Sequence, residues 1–157
     1  MDYDELTMRI AIAWRDLRRV KTPPLSQPVP QGQLDTMDVI SQLGSCSMVA
    51  LSAALRIDAS TATRAVDRLV ETGLATRRRS EEDARTVMVE LTSEGRALER
   101  QLTAERLAHM GEILERLDSD ERKVIAASLE SLLAATDAAN LAASEATTTA
   151  KPATGRS

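Results

Sequence analysis

Arginine and hydroxyl side chains, rather than nucleophiles or metal ligands, carry the chemistry of this chain. From Arg77 to Arg85 the sequence reads Arg-Arg-Arg-Ser-Glu-Glu-Asp-Ala-Arg. That is the end of a basic strand (Thr76 to Arg79), an acidic tight turn (Ser80 to Ala84) and the approach to a second strand. In the second strand Val87, Val89 and Leu91 alternate with Thr86, Met88 and Glu90, the period of two expected of a half-buried strand. Just upstream, Asp58 to Thr72 reads as a short helix carrying Ser60, Thr61, Thr63, Arg64 and Arg68, stopped by Gly73. Guanidinium groups pair with phosphates and read guanine edges, and hydroxyls hydrogen-bond to either. A helix followed at once by a basic ribbon suits a protein that puts the helix in one DNA groove and the ribbon tip in the next.

Within that pattern, Arg64 lies one turn into the helix, where a side chain reaches base edges. Ser60, Thr61 and Thr63 either contact phosphates and bases or cap the first turn. Arg68 faces outward with them. Arg85 is placed to enter a narrow minor groove, whose negative potential attracts arginine, and Asp83 beside it is expected to hydrogen-bond the turn and set the tip. Arg77, Arg78 and Arg79 alternate sides of their strand, so two of the three are expected on a phosphate backbone. The competing reading of each is a solvated surface charge. Between residues 56 and 85 seven arginines face six acids, a net of +1. Either Glu81 and Glu82 point away from DNA, or affinity is moderate and salt-sensitive.

Composition narrows the alternatives. The 157 residues suffice for one domain with a core. That core is aliphatic, because there is no Phe and only Trp14 and Tyr3 among the aromatics. A net charge of -4 excludes a generally basic protein but not a local positive surface. With one cysteine and one histidine, no intramolecular disulfide and no His/Cys metal cluster can form, and an enzyme is not expected. No metal or cofactor is expected. Cys46 has no cation within several residues and reads as a small buried filler rather than a reactive thiol. The start Met-Asp-Tyr-Asp-Glu is acidic where a signal peptide is basic, and no apolar run is read as membrane-spanning. A soluble cytoplasmic protein without a membrane partner is therefore expected.

The remaining elements follow from apolar spacing. A first helix is expected from Asp4 to about Val20, with Leu6, Ile10, Ala13, Trp14 and Leu17 on one broad face widened by Met8 and Ile12. The prolines of Lys21 to Gly32 end it. Leu34, Met37, Ile40 and Leu43 define a second helix closed by Gly44, and Val49 to Leu55 a third. A turn at Arg56-Ile57-Asp58 leads into the fourth helix, which Asp58 caps and whose Ala62, Ala65, Val66, Leu69 and Val70 are expected to face inward. After the ribbon, Ser93 to Leu117 is expected to form one long helix. Asp118 and Glu121 then make a capping box that opens a last helix to about Leu141.

Ser60-Thr61-Ala62-Thr63-Arg64, Asp67-Arg68-Leu69, Gly73-Leu74 and Asp83-Ala84-Arg85, followed by Val87, Val89, Leu91, Thr92 and Gly95, resemble the recognition helix and wing of the MarR family of bacterial transcriptional regulators. The resemblance implies a mainly α fold: a winged helix-turn-helix with a two-stranded β-wing and N- and C-terminal dimerisation helices. In this reading residues 1–142 form the domain, with dimerisation helices at about 4–20 and 93–141, the winged helix-turn-helix at about 34–92, and a disordered tail at 143–157. It further implies a homodimer that binds double-stranded DNA at a near-palindromic operator, a recognition helix in each major groove and a wing arginine in the minor groove. A repressor released by a small aromatic or apolar effector is the implied activity. Met8, Trp14, Met37, His109 and Met110 would line the effector pocket; Met and Trp at helical spacing are more often core. The chain departs from the family in having Val49 where a Ser or Thr cap opens the third helix, Arg56 where Gly stands at the turn, and no aromatics in the second helix. The alternative is a winged-helix protein-interaction module that does not bind DNA.

Overall fold

The computed structural model describes residues 2–83 and 85–149, with side chains through residue 142. In chain order the elements are α1 (Tyr3–Leu17), α2 (Gln31–Leu43), β1 (Cys46–Ser47), α3 (Met48–Leu55), α4 (Ala59–Glu71), β2 (Ala75–Arg79), β3 (Val87–Leu91), α5 (Ser93–Leu114) and α6 (Ser119–Thr149). The expected mainly α winged helix-turn-helix is the fold observed. Its sheet has three strands rather than two, in the antiparallel order β1-β3-β2. The added strand pairs Cys46 with Val89 and Ser47 with Met88. Two residues are too short to show any periodicity, so sequence pattern could not reveal it.

Two compact units divide the chain, residues 1–109 and 110–157. In the first, α2, α3 and α4 pack with the sheet around Met37, Ile40, Leu51, Val66, Leu69, Val89 and Leu91. Each of these contributes about 1.5–3 kcal/mol by leaving water. The half-buried strand pattern holds at Val89 and Leu91 but not at Val87, which lies beyond the core and is exposed, as is Val70 at the end of α4. Cys46, on β1, is buried, and burial raises its thiol pKa, so the thiolate needed for redox chemistry is disfavoured. α5 joins this unit through buried Leu102 and through Arg106, which grips Asp38 of α2 in a two-pronged pair at 2.7 and 2.8 Å.

Local chemistry explains most boundaries. Gly44 and Gly73 adopt φ of 70° and 74°, the left-handed turn that ends α2 and α4 at little cost only for glycine. α3 is capped after all: Ser47, two residues before Val49, accepts from the Ala50 amide at 3.1 Å. Arg56 takes the place of a turn glycine by itself adopting φ 55° and ψ 41°. α1 begins at Tyr3 on an Asp2 cap and buries no residue.

The second unit contains the end of α5 and all of α6. Asp118 and Glu121 form the expected reciprocal box, each backbone amide donating to the other's carboxylate at 2.8 Å. α5 ends at Leu114, three residues short of the expected Leu117, and Arg122 donates to the Leu114 carbonyl at 2.7 Å. α6 continues to Thr149, so the expected tail is helical over 143–149. Ala143 and Ala146 favour helix there and no Gly or Pro stops it. Residues 150–157 lie outside the described residues. Ser119–Ala142 is long and apolar enough to cross a membrane by length and composition, contrary to the sequence reading. Glu130 and Asp137 interrupt that stretch, and a carboxylate at bilayer depth is costly.

Candidate nucleic-acid interface

α4 is built as a helix with one buried and one solvent-facing side. Ala62, Val66 and Leu69 are fully buried, so the 100° step per residue turns Ser60, Arg64 and Arg68 outward, and all three are exposed. Asp58 holds the first turn. Its carboxylate accepts from the Thr61 amide at 2.8 Å, from the Thr61 hydroxyl at 2.7 Å and from the Ser60 hydroxyl at 2.5 Å. Those hydrogen bonds, Ser60 first, hold the Asp58 carboxyl well below the usual carboxylate range. Capping therefore engages Ser60 and Thr61. Thr63 donates to the Ala59 carbonyl at 2.8 Å, leaving its oxygen lone pairs free to accept. Arg64 makes long contacts of 3.3 and 3.4 Å to Ser60, a loose tether that leaves its guanidinium at the surface.

The wing separates the three consecutive arginines. Arg77 lies opposite Val89, hence on the face of the sheet turned toward α4. There it pairs with Asp67 at 2.5 Å and donates to the Thr63 carbonyl at 3.4 Å. Arg77 thus ties wing to recognition helix. Arg78, opposite Met88 on the other face, lies 3.7 Å from Glu90 and donates to Ser45 at 3.3 Å. Arg79 continues the strand and is exposed. Of the three, Arg77 makes the shortest ion pair, with Asp67.

At the tip, Asp83 does what its position suggested. One carboxylate oxygen accepts from the Arg85 amide at 2.9 Å and the other from the Thr86 hydroxyl at 3.1 Å. Ser80 closes the turn from the other side, accepting from the Glu82 amide at 3.2 Å while its own amide donates to the Thr86 carbonyl at 2.9 Å. This fixes the backbone of Arg85, whose side chain has no partner among the described residues.

The wing's base is anchored by residues that sequence motifs alone did not explain. The Thr92 hydroxyl donates to the Gly73 carbonyl at 2.7 Å and accepts from the Gly95 amide at 3.0 Å, and the Thr92 amide donates to the Leu74 carbonyl at 3.0 Å. Gly95 approaches so closely that an added Cβ would lie 1.9 Å from the Leu74 carbonyl oxygen. The residues expected to line an effector pocket differ in burial. Met37 is fully buried in the core, while Met8 and Trp14 on α1 and Met110 on α5 are exposed.

The profile of the MarR family matches residues 29–87, the span from the end of the α1–α2 connection into β3. YdgJ of Bacillus subtilis (strain 168), an uncharacterized HTH-type transcriptional regulator, is 28% identical over 97 residues, 62% of this chain and 59% of that protein. The chain thus spans about three fifths of the curated relative it matches. Streptococcus pneumoniae FabT, solved in complex with DNA, superposes with a TM-score of 0.69 at 22% identity, over 87% of this chain and 98% of FabT. Bordetella bronchiseptica BpsR, whose DNA binding is regulated by 6-hydroxynicotinic acid, gives a TM-score of 0.63 at 24% identity, over 83% and 98% of the two chains. At these identities the two structures establish the fold alone.

Proposed function

We propose that this chain, whose residues 29–87 match the MarR family, is a sequence-specific, double-stranded DNA-binding transcriptional regulator of that family acting as a homodimer. The observation that carries the reading is the joint exposure of Arg64 on α4 and Arg85 at a wing tip braced by Asp83. Helix and ribbon then address adjacent grooves, Arg64 reading a base edge and Arg85 the width of the minor groove. Arg78, Arg79 and the hydroxyl of Thr63 contribute phosphate contacts that set register. Cytoplasmic residence and no catalysis follow from that role.

Dimerisation is supported by surface that a single chain leaves uncovered. α1 exposes Leu6, Ile10, Trp14 and Leu17, and α6 exposes Val124, Ile125, Leu129, Leu132 and Leu133. Apolar faces of that size on helices mark an interface. A two-fold dimer presents two recognition helices and so selects a near-palindrome with half-sites about one helical turn apart. Repression by promoter occupancy, relieved by a small effector, completes the proposal; FabT's complex with DNA and BpsR's response to 6-hydroxynicotinic acid are its precedents among similar folds.

The test is a binding series on selected operator and scrambled duplexes at several salt concentrations. Arg64→Ala is expected to cost about 1–3 kcal/mol and to relax preference at one base pair per half-site. Arg85→Ala should weaken binding most on A·T-rich flanks, and Arg78→Ala should weaken every duplex alike while making the salt dependence shallower. Uniform losses from all three variants would refute the division of labour. A wild-type protein that binds neither duplex would leave the protein-interaction module in its place.

A further inference from the structure

α1 buries no residue of its own, so its direction depends on the chain that leads from it. That connection carries Pro23 and Pro24 before Ser26, and Pro28 and Pro30 after it. Each proline fixes φ at about −65°, and a proline-rich segment is a semi-rigid spacer rather than a flexible one. Ser26, between the two proline pairs, is fastened to α5. Its amide donates to one oxygen of the Glu105 carboxylate at 2.9 Å, and its hydroxyl donates to the other. The side-chain amide of Gln101, one turn before Glu105, donates to the Ser26 hydroxyl oxygen at 2.8 Å and to Glu105 at 3.3 Å. These hydrogen bonds, that of the Ser26 hydroxyl first, hold the Glu105 carboxyl below its ordinary range. Ser26 and Gln101 are exposed, and none of the three residues belongs to the hydrophobic core. The cluster therefore joins two distant parts of the chain without being needed to fill the interior.

We infer that Ser26 and Glu105 are positioning residues for dimerisation, a clamp that sets the direction in which α1 leaves the domain. The clamp holds the connection on α5, and the stiff Pro23–Pro24 pair carries that constraint back toward α1. There the Arg18 and Val20 amides, donating to the Trp14 and Leu17 carbonyls at 3.2 Å each, continue the last turn of the helix. α1 then presents its exposed Leu6, Ile10, Trp14 and Leu17 in one direction rather than many. A helix that must be ordered during association lowers affinity by the cost of ordering it, and a helix already in place does not. Both protomers must be in place at once, so the effect enters twice. If losing the clamp leaves each α1 correctly placed about a third of the time, the dimer dissociation constant rises about tenfold. The effect on assembly rests on the homodimer reading above; the hold of the clamp on α1 does not.

The experiment follows the full-length chain by sedimentation equilibrium over a concentration series, with circular dichroism at the same concentrations. Fluorescence anisotropy reports on α1 directly, because Trp14 is the one tryptophan of the chain. Ser26→Ala and Glu105→Ala should each raise the dimer dissociation constant about tenfold while leaving helix content unchanged. The double variant should be no weaker than the weaker single one, since both break the same contact. Ser26→Thr keeps the amide and the hydroxyl and should match wild type. Replacing Pro23 and Pro24 together by Gly leaves the clamp intact but removes the stiffness, and should also weaken the dimer. In the dissociated protein, Trp14 anisotropy should fall in each of these variants except Ser26→Thr. An unchanged dissociation constant in Ser26→Ala would overturn the proposal. So would a Ser26→Thr variant as weak as Ser26→Ala, or a loss of helix content that accounts for the weaker dimer. A wild type that stays monomeric throughout would refute the homodimer. In that case a fall in Trp14 anisotropy on Ser26→Ala would retain the clamp's hold on α1, and an unchanged anisotropy would overturn the clamp as well.

Discussion

Gly95→Ala tests the joint on which the wing depends. The added Cβ would lie 1.9 Å from the Leu74 carbonyl oxygen, 2.9 Å from its carbonyl carbon and 3.2 Å from its Cα. These are backbone atoms, so no side-chain rotation relieves the contact, and the start of α5 must move away by about 1 Å or more, van der Waals repulsion rising steeply inside about 3.5 Å. Leu74 cannot yield easily: its carbonyl accepts from the Thr92 amide at 3.0 Å, and its amide donates to the Leu69 carbonyl at 2.8 Å. Overpacking costs about 1–3 kcal/mol, and straining the Thr92–Leu74 hydrogen bond adds about 1 kcal/mol. The helix preference for Ala over Gly returns about 1 kcal/mol. The net loss is about 1–3 kcal/mol, a fall in melting temperature of roughly 2–12 °C for a protein of this size. Thermal denaturation followed by far-UV circular dichroism measures it, at one fixed protein concentration because a dimer's stability depends on it. Gly32→Ala is the control, since a Cβ there meets nothing within 4 Å, and it should be neutral or stabilising. If the two variants shift the melting temperature alike, close approach is not why glycine stands at position 95.

Three further outcomes follow from single residues. Arg56 is the only non-glycine residue with positive φ among the described residues, so Arg56→Gly should raise stability by about 0.5–1 kcal/mol in chemical denaturation; a loss would show that the arginine's own contacts outweigh backbone strain. The Asp58 carboxyl is held below its ordinary range in the folded protein, so its stabilisation is complete above the unfolded value of about 4 and is lost as pH falls below it. Asp58→Asn should therefore flatten the acid limb of the stability–pH curve, and an unchanged limb would contradict the capping role. Arg77 and Asp67, partly exposed at 32% and 43%, should couple by a few tenths to about 1 kcal/mol in a double-mutant cycle of thermal stability; zero coupling would refute the tie between wing and α4.

The sequence by itself determined the order of elements and the chemistry at their ends. Apolar residues at steps of three and four placed α2 and α4, and alternation placed β3. Gly44, Gly73, Asp58 and the Asp118–Glu121 box marked boundaries, because caps and left-handed turns are satisfied by residues a few positions apart. For the same reason Asp83 was legible as the residue bracing the tip, its partners Arg85 and Thr86 being two and three residues away.

Tertiary structure decided what depended on distant partners. Alternation along β2 shows that Arg77 and Arg78 face opposite ways, but only the fold supplies their partners: Asp67 on α4 for Arg77, and Ser45 and Glu90 for Arg78. The grip of Arg106 on Asp38 joins residues 68 positions apart, and Gly95 is required by a carbonyl on the far side of the wing. Met37 has the spacing of either a core or a pocket residue, and only the packing of α2 against α3, α4 and the sheet puts it in the core. Periodicity reports which face of an element is apolar; it carries no information about what that face meets, which is set by how the elements pack in three dimensions.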